Sequence, residues 1–259
     1  MSDFGLIETI KVVNGRPVFR NLHVKRLHRS LKLLNIDESE YKLEDRILRL
    51  LKYECVSKGL KNIRLRIEIQ KNRMHDYMPE IMELKWNCTL RPLENDRFVI
   101  NQEGLKLTFF TKHKKPLDAF LNLKHTERNL YDKALEYARL QNFDDALVIN
   151  ENNAIADASI FNVFIIKDGQ VFTPPLPDGP VAGVLRELLI THLKKHPVIE
   201  RTLTIEDING ADEIFLTNAV KGLRWVGQLD GKLLPYSITR EIFNEFKMIV
   251  AEHFGDHLV

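Results

Sequence analysis

The chain has 259 residues, 44% of them hydrophobic and 29% charged, enough to bury one large core or two smaller ones. Lys plus Arg total 38 against 36 Asp plus Glu, a formal charge of +2, which argues against nucleic acid or a membrane surface as the main partner. No apolar run approaches the ~18 to 20 residues of a membrane helix. The start Met1-Ser2-Asp3-Phe4 has neither a basic opening nor an apolar signal core. Cys55 and Cys88 have no metal-ligand spacing, so a cytoplasmic protein with reduced thiols is expected.

Gly5 to Phe19 reads as a hairpin, with Ile7, Thr9 and Lys11 alternating against Glu8, Ile10 and Val12 and Asn14-Gly15 supplying the turn. Asn21 to Leu34 follows as a helix whose stripe is Val24, Leu27, Leu31 and Leu34, with Arg26, Arg29 and Lys32 on or beside the exposed flank. A second amphipathic helix is predicted from Leu43 to Lys58, ending at Gly59. Asn62 to Gln70 alternates as a strand through Ile63, Leu65, Ile67 and Ile69. A strand pair is expected across Glu80 to Leu90 and Phe98 to Phe110, after which Thr111-Lys112-His113-Lys114-Lys115-Pro116 breaks regular structure and marks a domain junction.

Beyond the junction, Asn129 to Leu140 is predicted helical and Ala146 to Asn150 a short buried strand. Glu151-Asn152-Asn153 turns the chain into a strand carrying Asp157. A hairpin closes at Asp168-Gly169, and the proline-rich loop from Pro174 to Gly183 opens into a helix from about Val184 to Lys195. A strand from Glu213 to Thr217 and a last helix from Ser237 to His253 complete the expected elements.

Several ordered blocks carry a resemblance. They are Leu123-Lys124-His125, Asp144-Asp145-Ala146-Leu147-Val148-Ile149-Asn150, Ala156-Asp157 through Asn162-Val163-Phe164, Lys167-Asp168-Gly169 through Thr173-Pro174-Pro175-Leu176, Ala182-Gly183-Val184-Leu185-Arg186, and Ala211-Asp212-Glu213 through Thr217-Asn218. With them the chain resembles the fold-type IV pyridoxal phosphate enzymes, the class IV aminotransferases that include branched-chain aminotransferase, D-amino acid aminotransferase and aminodeoxychorismate lyase. The likeness runs from Phe4 to about Val226 and is strongest between Leu121 and Arg186.

The resemblance implies a two-domain, mixed α/β fold: a smaller domain over residues 1–110, a linker over 111–120 and a larger cofactor-binding domain over 121–259. Pyridoxal phosphate would sit at the domain junction, in a homodimer. Lys124 takes the Schiff-base position, and an amine with an ordinary pKa near ~10.4 needs a desolvated or cationic setting to serve there. His125 and the basic run at 112–115 are candidates for that field. Asp157 stands where the family usually has glutamate, five residues before Asn162, and would pair with the pyridine nitrogen. The phosphate would lie on the N–H groups of Val184 and Leu185 at a helix start. The family's second hydroxyl contact falls on Ala219, with Asn218 or Thr217 as compensating groups. Arg26, in His23-Val24-Lys25-Arg26-Leu27-His28-Arg29-Ser30, matches His-x-x-Arg-Leu-x-x-Ser, whose arginine binds the phosphate in the family. Arg73 and His75 match an Arg-x-His that holds a substrate carboxylate in D-amino acid aminotransferases; an exposed loop accounts for them equally well.

Two activities share these residues. Loss of a group β to the substrate carbanion gives a lyase like aminodeoxychorismate lyase, forming pyruvate and 4-aminobenzoate. Return of the proton to the cofactor gives an aminotransferase for D- or branched-chain amino acids. The modest length, the Thr-Pro-Pro-Leu loop and the opening hairpin resemble bacterial proteins of the lyase kind, so the lyase is the first expectation. A third reading, a catalytically idle binding module using the 112–115 cluster, lacks the interleaved aromatics of a nucleic-acid surface.

Overall fold

The computed structural model describes residues 4–36, 42–53, 59–73 and 82–259. They form two compact units: Met1–Asp96 with Leu123–Glu127, and Arg97–Asn122 with Arg128–Val259. The chain therefore divides after Asp96 rather than in the 111–120 linker read from the sequence, and the segment bearing Lys124 returns to the first unit. Among the described residues no helix is long and apolar enough to cross a membrane.

The first unit contains β1 (Gly5–Val13), β2 (Arg16–Pro17), α1 (Arg20–Leu33), α2 (Leu43–Leu51), β3 (Ile63–Arg73) and β4 (Met82–Pro92), in an antiparallel sheet of order β2-β1-β3-β4. The β1–β2 turn uses Asn14 and Gly15, both at positive φ, the backbone that a tight hairpin demands. Ile63, Leu65, Ile67 and Ile69 are all buried, as their alternation predicts, and stand opposite Val12, Ile10, Glu8 and Leu6 of β1. Leu27 and Leu31 of α1 and Leu43, Ile47 and Leu51 of α2 cover that face, each buried chain contributing roughly 1.5–3 kcal/mol. Glu8 is thus a carboxylate placed in an otherwise apolar row. Residues 54–58 of the helix expected to reach Lys58 lie outside the described residues.

The second unit holds β5 (Leu105–Lys115), α3 (Asn129–Leu140), β6 (Asp145–Asn150), β7 (Ile155–Ala158), β8 (Asn162–Lys167), β9 (Gln170–Thr173), α4 (Val184–His192), β10 (Val198–Glu200), α5 (Ile205–Asn209), β11 (Glu213–Asn218), β12 (Gly222–Leu229), β13 (Lys232–Leu233) and α6 (Ser237–Phe254). Its mixed sheet runs β10-β9-β8-β11-β12-β5-β6-β7, with β13 beside β12. β6 is buried along its whole length. Ala146 and Val148 face Tyr131, Ala134 and Ala138 of α3, while Leu147 and Ile149 join the core with Val163, Ile165, Ile214 and Leu216.

The expected pairing of Glu80 to Leu90 with Phe98 to Phe110 does not form. β4 pairs with β3, and β5 lies parallel between β12 and β6. Residues 98–104 are not strand; Asn101 instead uses its side-chain amide and backbone carbonyl to bind Trp225, with Trp225 N donating to Oδ1 at 3.0 Å. The basic segment read as a break is the end of β5. Between Phe110↔Val148 and Lys115↔Asn150 the register takes five steps along β5 against two along β6, and this irregularity turns Lys115 onto the α3 face.

Candidate active site

In the first unit the side chains of Arg26 and His23 gather on Glu8. Arg26 Nε donates to its Oε1 at 2.7 Å and Arg26 Nη2 to its Oε2 at 2.6 Å. His23 Nδ1 lies 2.7 Å from Oε2, and since a carboxylate only accepts, the imidazole proton sits on that nitrogen. Burial by itself would raise the Glu8 carboxyl; the Arg26 charge and the bonds from His23 and Arg26 outweigh it and hold the pKa at about 2. The His23 pKa is lowered too, by burial with the Arg26 and Lys124 charges adding, against the pull of Glu8. His23 is therefore neutral, and its Nε2 is buried without a partner among the described residues. The helical flank expected for Arg26 is wrong in one respect: it is only 6% exposed, because Glu8 draws it inward.

Lys124 lies along the start of β1. Its carbonyl accepts from Ile7 N at 2.7 Å, Thr126 N donates to Gly5 O at 2.8 Å, and Gly5 N donates to Thr126 Oγ1 at 2.9 Å. His125 stacks on Phe4, ring centres 5.2 Å apart. The basic run proposed to act with Lys124 is engaged within the second unit: Lys112 lies over Tyr137, His113 packs on Phe110, and Lys114 donates to Asn153 at 2.6 Å. Arg73 closes β3 opposite Met82, and His75 lies outside the described residues.

In the second unit Asp157 is carried by β7, opposite Val148 and so on the face toward α3. Its partners, which the sequence did not reveal, are Tyr131 OH at 3.0 Å and Val181 N at 2.7 Å on Oδ2, and Asn162 Nδ2 at 2.8 Å on Oδ1. A carboxylate offers about four acceptor directions, so three donors leave one for a ligand. Burial raises the Asp157 pKa, opposed by the Lys115 charge and by the donors from Val181, Tyr131 and Asn162.

The third group is a candidate anion cradle. Gly183 caps α4 in extended conformation with no side-chain cap, so the N–H groups of Val184 and Leu185 are those a helix start leaves unbonded. A Cβ at position 183 would overlap Asn162 Oδ1, so only glycine lets the helix start approach that asparagine. Asn162 pairs across strands with Thr217, whose Oγ1 is fully buried with no partner among the described residues. Asn218 is occupied in the following turn, its Oδ1 accepting from Val220 N and Lys221 N at 3.1 and 2.7 Å. Ala219, half-buried in that turn, brings no hydroxyl. An orphaned hydroxyl joined through Asn162 to an uncapped helix start fits a phosphate, and an acid with one acceptor direction left fits a protonated ring nitrogen.

A family model described as amino-transferase class IV matches residues 5–229. An aminodeoxychorismate lyase from Bacillus subtilis is 27% identical over 221 residues, covering 83% of this chain and 74% of that protein. A D-alanine aminotransferase from Listeria monocytogenes is 24% identical over 240 residues, covering 88% and 78%. In fold, the chain is similar to the crystal structure of a branched-chain aminotransferase from Thermoproteus uzoniensis with norvaline, with a TM-score of 0.83 and 21% identity over 98% of this chain and 88% of that one.

Proposed function

The chain belongs to the amino-transferase class IV family, and on that premise we propose that it is a pyridoxal phosphate-dependent lyase converting 4-amino-4-deoxychorismate to 4-aminobenzoate and pyruvate. When bound, pyridoxal phosphate supplies an electron sink for a carbanion beside the substrate nitrogen. Lys124 is the amine that would hold the cofactor's carbonyl carbon and then carry the proton off the substrate carbon bearing nitrogen. Asp157 receives the ring N–H. Val184 and Leu185 N–H with the Thr217 hydroxyl receive the phosphate, Thr217 taking the place left by Ala219. Loss of that substrate proton lets the bond to the enolpyruvyl oxygen break; the leaving group takes up a proton to become pyruvate and the six-membered ring becomes aromatic.

The observation that carries this reading is Asp157: a buried acid with three fixed donors and one acceptor direction left. The lyase assignment leans on the 27% identity to the Bacillus subtilis enzyme. The second reading, an aminotransferase for D- or branched-chain amino acids, is favoured by the match to the Listeria protein and needs the same residues. We place the protein in the cytoplasm as a homodimer, which sedimentation would check.

The deciding assay supplies purified protein and cofactor with 4-amino-4-deoxychorismate and, separately, with D- and L-amino acids and 2-oxoglutarate. Pyruvate with 4-aminobenzoate in the first mixture supports the lyase; a new keto acid in the second alone supports the transaminase. A visible cofactor band that disappears in Lys124→Ala is expected in either case, and no band in the wild type would sink both.

A further inference from the structure

Lys115 is a buried cation that the proposed chemistry does not use. Its ammonium has three hydrogens and finds three acceptors: the carbonyl of Leu121 at 2.8 Å, the carbonyl of Gly179, and Tyr131 OH at 2.6 Å. An ammonium cannot accept, so the Tyr131 oxygen receives from Lys115 and its hydrogen turns to Asp157 Oδ2 at 3.0 Å. The direction of the chain is therefore fixed.

We propose that Lys115 is a positioning residue for Asp157, its ammonium acting across the Tyr131 hydroxyl to keep that carboxyl charged inside the fold. This rests on the reading of Asp157 as the partner of a ring nitrogen, since a protonated acid would present a hydrogen where an acceptor is needed. Asn162, Val181 and Tyr131 are neutral donors, whereas Lys115 acts on Asp157 with a full charge. Tyr131 stays neutral, because burial and then the Asp157 charge hold its pKa well above the ordinary value, with Arg128 on its ring face in opposition. Burial lowers the pKa of Lys115, and Asp157 and Asp118 restore part of it. Tethering Leu121 and Gly179 needs only a donor, whereas holding Asp157 ionised needs the charge.

The full-length protein, labelled with carbon-13 at aspartate carboxyls, is titrated by NMR, with the Asp157 signal assigned through Asp157→Asn. Lys115→Met is expected to move the Asp157 midpoint upward by about one to three pH units, and Lys115→Arg to return most of it. Tyr131→Phe is expected to give a smaller upward move and decides the matter alone should Lys115→Met not fold. A midpoint unmoved in the variants that fold overturns the proposal, even where melting temperature falls, because that is the result for a mere loop tether. Cofactor uptake is read separately from the visible band of the wild type: its absence sinks the functional reading whatever the carboxyl does.

Discussion

Glu8 and Arg26 form a two-pronged ion pair inside the first unit, at 2.7 and 2.6 Å, in a row whose other members are Leu6, Ile10 and Val12. Removing one partner strands a buried charge, which costs about 3–5 kcal/mol. Arg26→Met is expected to lower stability by that amount in urea unfolding. Glu8→Leu combined with Arg26→Met should recover much of it, since no charge is left buried; a double variant as unstable as the single one would contradict this account.

The same pair sets an acid limit. The Glu8 carboxyl lies at about 2 in the folded protein against an ordinary 4.5, so the folded state binds its proton more weakly than the unfolded chain does. Its contribution is complete above about pH 4.5 and is lost as pH falls toward 2. Melting temperature followed across that window should fall steeply in the wild type and more gently in Glu8→Gln.

At the start of α4, Gly183→Ala sets a methyl group against Asn162 Oδ1. Asn162 Nδ2 bridges Asp157 Oδ1 and the Val181 carbonyl, at 2.8 Å each, so moving this side chain disturbs two loops and the acid together. A loss of about 1–3 kcal/mol and weaker retention of pyridoxal phosphate on dialysis are expected. Unchanged stability and retention would show that the helix start tolerates the group.

Thr217 offers a test in which stability and binding diverge. Its buried hydroxyl has no partner among the described residues, so Thr217→Val should leave the cofactor-free protein as stable as before or slightly more so. If that hydroxyl meets the phosphate, the affinity for pyridoxal phosphate falls by about ten- to a hundredfold. Fluorescence titration of the two proteins measures it, and equal affinities would remove Thr217 from the cradle.

Much of the fold was legible where one periodicity governs one element. α3 runs from Asn129 to Leu140 as predicted, β3 alternates as its isoleucines and leucines dictate, and Asp168-Gly169 turns with both residues at positive φ. β12 escaped notice because it buries Leu223, Val226 and Leu229 at intervals of three, a spacing that a register irregularity against β5 permits and that no strand rule expects. The α4 start at Val184 and the strand carrying Asp157 fall where the loop and turn signals place them. Glu8, Tyr131 and Lys115 were missed because the first looks like the polar half of an alternating hairpin, the second like one more apolar helix position, and the third like part of a solvated basic run.

Residue order alone therefore determined which segments become strands and helices over much of the chain, since these follow from spacing and local chemistry, while the amine and the acid were singled out by the resemblance that the matched blocks carry. Tertiary structure decided the company those groups keep. Whether Arg26 meets water or Glu8, and whether Lys115 points outward or at Tyr131, depends on strand register and helix placement between residues far apart in the chain. The cost of burying a charge is met only when the partner arrives from another element.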